Sequence, residues 1–293
     1  MNATPDQLRT RLQAGAEAAS AGLPALMLSA ERLAAALVPG AHGQRRAGTG
    51  EDFWQYRPAT AGDTARSIDW RRSARSDGQF VRDREAQVAQ SASLWVSAAA
   101  GMDYAGAPSR PGKRARADLL ALALAMALLS GGERVALAGQ PPRPGRLQSE
   151  RIAEALIARP ALEGDEDAPP AEALRPGQRV VLFDDFLGDP QPVLDYLGRA
   201  AALGVQGALM QVLDPDEEGF PWQGAVLFRS GSGRLSHDTR DAGGLRAAYL
   251  ARLAERRETL SRAALTAGWH FGTHDTAAPP SQALLWLWSV LEG

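Results

Sequence analysis

The stretch Arg179-Val180-Val181-Leu182-Phe183-Asp184-Asp185-Phe186 decides how the chain is read. Val180 to Phe183 are apolar without polar alternation, which suits a strand buried on both faces, as in a parallel sheet. Two carboxylates follow where that strand ends. On both sides the same theme recurs. Upstream, Ser93–Ala98 reads as a strand and Arg114–Ser130 as an apolar helix stopped by Gly131-Gly132. Arg134–Ala138 is then a strand, Ser149–Ala158 a helix, and Glu163–Pro170 an acidic, proline-bearing loop. Downstream come a helix over Pro190–Leu203, a strand over Gln206–Leu213 and an edge strand over Ala225–Phe228. A long helix over Gly244–Ala267, a strand over Trp269–Thr273 and a helix over Ser281–Leu291 close the chain. Alternating strands and helices predict an α/β fold, a mostly parallel sheet with helices on both faces.

The first 90 residues differ. Leu26, Leu33 and Leu37 recur at helical spacing and Pro39-Gly40 ends the run, so residues 1–40 predict one or two helices. Between residues 51 and 90 aromatics, arginines and aspartates are interleaved with turn signals. Ser67–Arg72 and Gln79–Arg84 bracket Asp77-Gly78 and predict a β-hairpin in which Ile68 and Trp70 share a buried face. The expected organisation is a helical segment plus an Arg/Asp-rich hairpin module over 1–90 and an α/β domain over 91–293.

Composition excludes several functions. With 293 residues, 45% of them hydrophobic, the chain can bury a core without disulfides or structural metal. It has no cysteine, which removes thiolate zinc sites and cysteine nucleophiles and makes the cytoplasm the expected compartment. The net charge of −2 gives no pull toward nucleic acid. Leu119–Leu129, the longest apolar stretch, is too short to span a bilayer, and no secretory leader or membrane insertion is expected. Among the 32 basic residues Lys113 is the single lysine; the rest are arginines.

The segment from Gly50 to Arg84 carries a distinctive order: Arg57-Pro58, then Gly62-Asp63-Thr64-Ala65-Arg66-Ser67-Ile68-Asp69-Trp70-Arg71, then Ala74-Arg75 and Phe80-Val81-Arg82. It resembles the hallmark of the bacterial family called domain of unknown function 58, in an alphaproteobacterial-type subgroup. The likeness continues through Val181–Phe186, Asp214-Pro215 with Glu217, Phe220-Pro221, Gly224, Gly268-Trp269 and His274. The resemblance implies a von Willebrand factor A-like fold and frequent association with a MoxR-type AAA+ ATPase in protein assembly or maturation.

Many such folds hold a divalent cation at the carboxyl ends of the strands through D-x-S-x-S, a distant Thr and a later Asp. A hard cation wants that set of oxygens. Placed on this chain, the motif falls on Ser97, Ala99 and Gly101, which offer one hydroxyl, and Leu162–Pro170 contains no Thr. Asp184 and Asp185 alone remain, enough for at most a weakly held, hydrated Mg²⁺. The expectation is a degenerate site with no cofactor, its aspartates capping the next turn or pairing with an N-terminal arginine.

Other chemistry is sparse. His270 and His274 sit on a predicted strand, where four-residue spacing does not converge on a metal. No G-x-S-x-G elbow, phosphate loop or G-x-G-x-x-G opening a helix occurs. Gly231-Ser232-Gly233 reads as a hairpin tip. Arg57, Asp63, Arg66, Asp69, Arg71 and Arg75 admit two readings: an ion-pair network, or a partner surface with Trp54, Tyr56 and Trp70. Nine arginines against seven acids over residues 45–85 argue against nucleic acid. The expected function is a non-enzymatic protein-binding module serving a MoxR-type ATPase and client proteins. The alternative is a metal-dependent enzyme or hydrolase using Asp184 and Asp185.

Overall fold

A computed structural model describes residues 23–37, 44–60, 68–75, 78–88, 90–160 and 162–292. The chain divides into two compact units, Ala41–Gln90 and, together, Met1–Gly40 with Ser91–Gly293. This differs from a single break at residue 90. The helix α1 (residues 23–34) and the turn after it send Ala30, Leu33 and Leu37 into the core of the α/β unit, so that helix groups with the later residues.

In the smaller unit β1 (Gln44–Pro58) pairs antiparallel with β2 (Phe80–Val88), with register shifts between Gly48 and Phe53 and between Phe53 and Gln55. The hairpin is therefore built from other residues than expected. Ser67 lies outside the described residues, and among the described ones of Ser67–Arg72 only Ile68 makes a bridge, to Val81. Trp70–Ser73 is instead a one-turn helix, α2. The cause is local: the Asp69 carboxylate accepts from the Arg72 N–H at 3.0 Å, an N-cap that favours a helical turn. Asp69 N–H donates to the Phe80 carbonyl at 2.8 Å and Phe80 N–H donates to Ser73 Oγ at 3.0 Å, which stitches the turn to β2.

The α/β unit runs β3 (Ser91–Val96), α3 (Lys113–Ser130), β4 (Arg134–Leu137), α4 (Arg146–Ala158), β5 (Arg179–Asp184), α5 (Gln191–Ala202) and β6 (Gln206–Leu213). There follow α6 (Pro215–Gly219), β7 (Val226–Arg229), β8 (Ser236–Thr239), α7 (Ala242–Thr266), β9 (His270–Asp275) and α8 (Pro280–Glu292). Five strands form one parallel sheet in the order β4-β3-β5-β6-β9. The expected edge strand near Ala225–Phe228 lies outside it. As β7 it pairs antiparallel with β8 in a separate hairpin, with Gly231-Ser232-Gly233 at the tip.

Period-two side chains explain the two apolar layers. Val181 and Phe183 join Leu94, Val96 and Met210 under α1, α3, α4 and α8. Val180 and Leu182 face the other way, joining Leu209 under α5, α7 and Trp269. Helix α3 is buried nearly all round, so its run from Leu120 to Leu128 is apolar throughout rather than amphipathic. α1, α3, α4 and α8 also border an open groove of about 710 Å³ that includes Leu37, Met126 and Trp288. Among the described residues no helix is long and apolar enough to cross a membrane.

A candidate functional site at the strand ends

The strand order reverses between β3 and β5: the chain moves from β3 to β4 on one side, then to β5, β6 and β9 on the other. At such a switch point the two following loops diverge and leave a crevice at the carboxyl ends. Ser97 through Asp103 follow β3, Asp184 ends β5 with Asp185 next, and Asp214 follows β6 to open α6.

The loop after β3 is held from several sides. Ser97 is wholly buried, and its Oγ accepts from the Ala99 N–H at 3.2 Å. Ala98 N–H donates to Asp167 Oδ2 at 2.7 Å, and Ala100 N–H to the Gly164 carbonyl at 2.9 Å. Asp165 in the same acidic loop accepts from Ser232 through N–H at 2.7 Å and Oγ at 2.6 Å. That brings the β7–β8 tip down on the loop after β3. A Cβ on Gly231 would lie 2.3 Å from the Gly101 nitrogen and 2.4 Å from the Ala100 carbonyl carbon, so only glycine fits there.

The centre of the site is a residue that the sequence marked only by its rarity. Lys113, 1% exposed, opens α3 and directs its Nζ 2.7 Å from Asp185 Oδ2 and 2.7 Å from Glu217 Oε1. Burial alone would lower its pKa, but Asp185 and Glu217 outweigh that and hold it above the ordinary value. Asp185 Oδ1 accepts from Leu187 N–H at 3.0 Å, closing the turn in which Phe186 takes a φ of 50°, a left-handed conformation rare for a bulky residue. Asp185 thus caps its turn, and its cation is Lys113. Glu217 Oε2 also accepts from the Asp214 N–H at 3.0 Å in a capping box on α6.

Asp184 behaves differently. Its Oδ1 is buried and meets no donor among the described residues. Burial first, and the charge of Asp185 second, push its carboxyl up to about 8, although hydrogen bonding from Ser97 and from the Asp185 and Phe186 N–H groups pulls the other way. Burial and the neighbouring charge thus both favour the neutral acid at Asp184. Asp214 is wholly buried and fully engaged. It pairs with Arg110 at 3.1 Å and accepts from Gly106 N–H at 3.0 Å and Asp216 N–H at 2.9 Å. His270 is exposed and His274 buried against Arg116, so the two histidines do not meet.

The residues do not fit a divalent cation. A Cβ on Gly101 would lie 3.3 Å from Asp185 Oδ2, so that position does face the carboxylate but supplies no oxygen. Ala99 supplies none either, and an ammonium already lies against Asp185. Among the described residues no three His, Asp or Glu side chains are grouped to hold a metal ion. The cavity beside Asp184, Asp185, Asp165 and Asp167 measures about 30 Å³, the share of one water molecule.

Of the other residues singled out by sequence, Arg57 lies on β1 opposite Val81, while Gly62, Asp63 and Arg66 fall outside the described residues. Asp69 caps α2. Trp70 is 57% exposed, contrary to the expected buried face, and Arg71 and Arg75 beside it are exposed. Sequence reading passed over Lys113, Arg110 and Glu217 as site residues.

A family model described as "Protein of unknown function DUF58" matches residues 55–259. No curated protein matches the chain in sequence. Among solved structures, the conserved hypothetical protein BatB from Bacteroides thetaiotaomicron is similar at 12% identity and a TM-score of 0.40, covering 69% of this chain and 98% of its own. An aerotolerance-related membrane protein from Bacteroides fragilis NCTC 9343, with multiple mutations to serines, is similar at 14% identity and a TM-score of 0.39, with the same coverage of both chains.

Proposed function

We propose that this chain, which belongs to the DUF58 family of unknown function, is a non-enzymatic protein-binding module or adaptor. In this reading its α/β unit is von Willebrand factor A-like, and it works in the cytoplasm with a MoxR-type AAA+ ATPase on the assembly or maturation of client proteins. The observation that carries the proposal is Trp70. A tryptophan left 57% exposed, on a turn fixed by the Asp69 cap and flanked by exposed Arg71 and Arg75, has the composition of a binding hot spot. A capped turn also loses little freedom on binding, which favours affinity. The site beside Asp184 and Asp185 adds support, since Asp185 is neutralised internally by Lys113 and the cavity beside the pair measures only about 30 Å³.

The test is co-purification of the full chain with a MoxR-type ATPase, with and without ATP analogues. A partner that prefers one nucleotide state binds with nucleotide-dependent strength. Recovery that Trp70→Ala abolishes supports the proposal. Hydrolysis of a phosphodiester or peptide, lost in Asp184→Ala or Asp185→Ala, would replace it with an enzyme.

A further inference from the structure

Asp185 follows β5 and Glu217 lies on α6 after β6, yet their oxygens converge on one point at the carboxyl end of the sheet. That point is the Lys113 ammonium, 2.7 Å from each. Two carboxylates facing one another in a buried site need a cation between them. A dication would take the same oxygens and would bring several more ligands or waters. An ammonium needs only acceptors, and it arrives on a stem anchored to the first residue of the most buried helix. The Tyr104 ring, its centroid 5.9 Å from the ammonium, lies on a further side.

We propose that Lys113 is the built-in cation of this site. Its tethered charge holds the loops after β5 and β6 together, as a bound divalent ion would, so the strand end keeps its shape without metal. The inference is independent of what docks on the protein and stands or falls apart from the adaptor reading. It also assigns a role to the only lysine in a chain that otherwise uses arginine. The planar arginine fork, with its larger head, would not sit between two single oxygens in this enclosed space.

The test uses the full chain, its Lys113→Ala and Lys113→Met variants, and MnCl₂, MgCl₂ and CaCl₂ as probes. In the parent, melting midpoints should be indifferent to millimolar dication, and Mn²⁺ spectra should show no bound ion. Lys113→Ala opens room beside the two carboxylates. It should melt lower, recover saturably with Mn²⁺ and bind about one ion, and Glu217→Gln added to it should abolish both effects. Lys113→Met fills the stem without charge and should melt lower with no recovery. If Lys113→Ala does not fold alone, refolding in MnCl₂ should rescue it. The proposal is overturned if the parent binds Mn²⁺ in a manner lost in Asp185→Asn. It is equally overturned if Lys113→Ala melts like the parent, or if no dication raises its midpoint or rescues its folding.

Discussion

Arg116 and His274 meet inside the α/β unit, the guanidinium Nη1 3.2 Å from the imidazole Nε2, with the histidine only 5% exposed. Arg116 also donates to the carbonyls of Thr276 and Ala278, both at 2.7 Å, so it is fixed in place. Burial, then the arginine charge, depress the imidazole to about 4 against an ordinary 6.5, with Asp275 opposing. The unfolded chain therefore binds a proton that the folded one refuses between those values. The contribution of His274 should be full above pH 6.5 and be lost as pH drops toward 4, about 3 kcal/mol in all. Urea titrations at pH 7 and pH 4 on the parent and on His274→Gln, whose amide oxygen can still accept from Arg116, check this. Equal acid losses in the two proteins would refute it.

Asp184 predicts a dependence of the opposite sign. Its folded carboxyl titrates near 8 and its unfolded one near 3.8. The folded state holds the extra proton in that window, so stability falls as pH rises from about 4 to 8 and then levels. Each pH unit within it costs up to about 1.4 kcal/mol. Asp184→Asn imitates the protonated acid. It should match the parent at pH 4 and exceed it at pH 9, measured by denaturant midpoint.

Trp70→Ala should leave stability within about 0.5 kcal/mol of the parent, as exposed substitutions do. Binding of the ATPase partner should nevertheless weaken at least tenfold, the loss expected of a hot-spot aromatic. Calorimetric titration of parent and variant with the purified partner decides it. A large fall in melting midpoint would return Trp70 to the core, where its alternation with Ile68 had placed it.

Gly231→Ala should destabilise by about 1–3 kcal/mol, because the added Cβ would meet the rigid Ala100–Gly101 backbone rather than a movable side chain. Gly219→Ala, where an added Cβ meets nothing within 4 Å, is the control and should be near neutral. Urea midpoints of the two variants measure the difference.

What was legible in the sequence follows from physical range. Val180–Phe183 and Ala208–Met210 announce themselves because a strand buried on both faces reads as a run of adjacent apolar residues. α3 is legible for the same reason. The segment around Trp70 misled because Ile68 and Trp70 alternate as strand residues do, while one local hydrogen bond, from Arg72 N–H to Asp69, selects a helical turn. Ala225–Phe228 was legible as a strand but not in its pairing, which depends on Ser236–Thr239 and on no pattern of its own. The positions Ser97, Ala99 and Gly101 follow a recognisable strand, and of the three Gly101 lies beside Asp185, where an added Cβ would be 3.3 Å from its Oδ2. The ion pair of Lys113 with Glu217 joins residues far apart in sequence, and no periodicity links them. The lone lysine was the available signal.

The α/β unit is discontinuous along the chain: α1 precedes Ala41–Gln90, yet its apolar side shares a core cluster with Trp288 of α8. On the ribosome α1 is therefore made well before α8, whose Trp288 shares its core cluster. Its complete surroundings exist only once some 250 further residues have been synthesised, on the order of tens of seconds at ordinary elongation rates. During that interval Leu33 and Leu37 have no finished core to enter. The same geometry means that a protease cut within Ala41–Gln90 would leave two polypeptides joined only by the non-covalent packing of α1 on the rest of the unit.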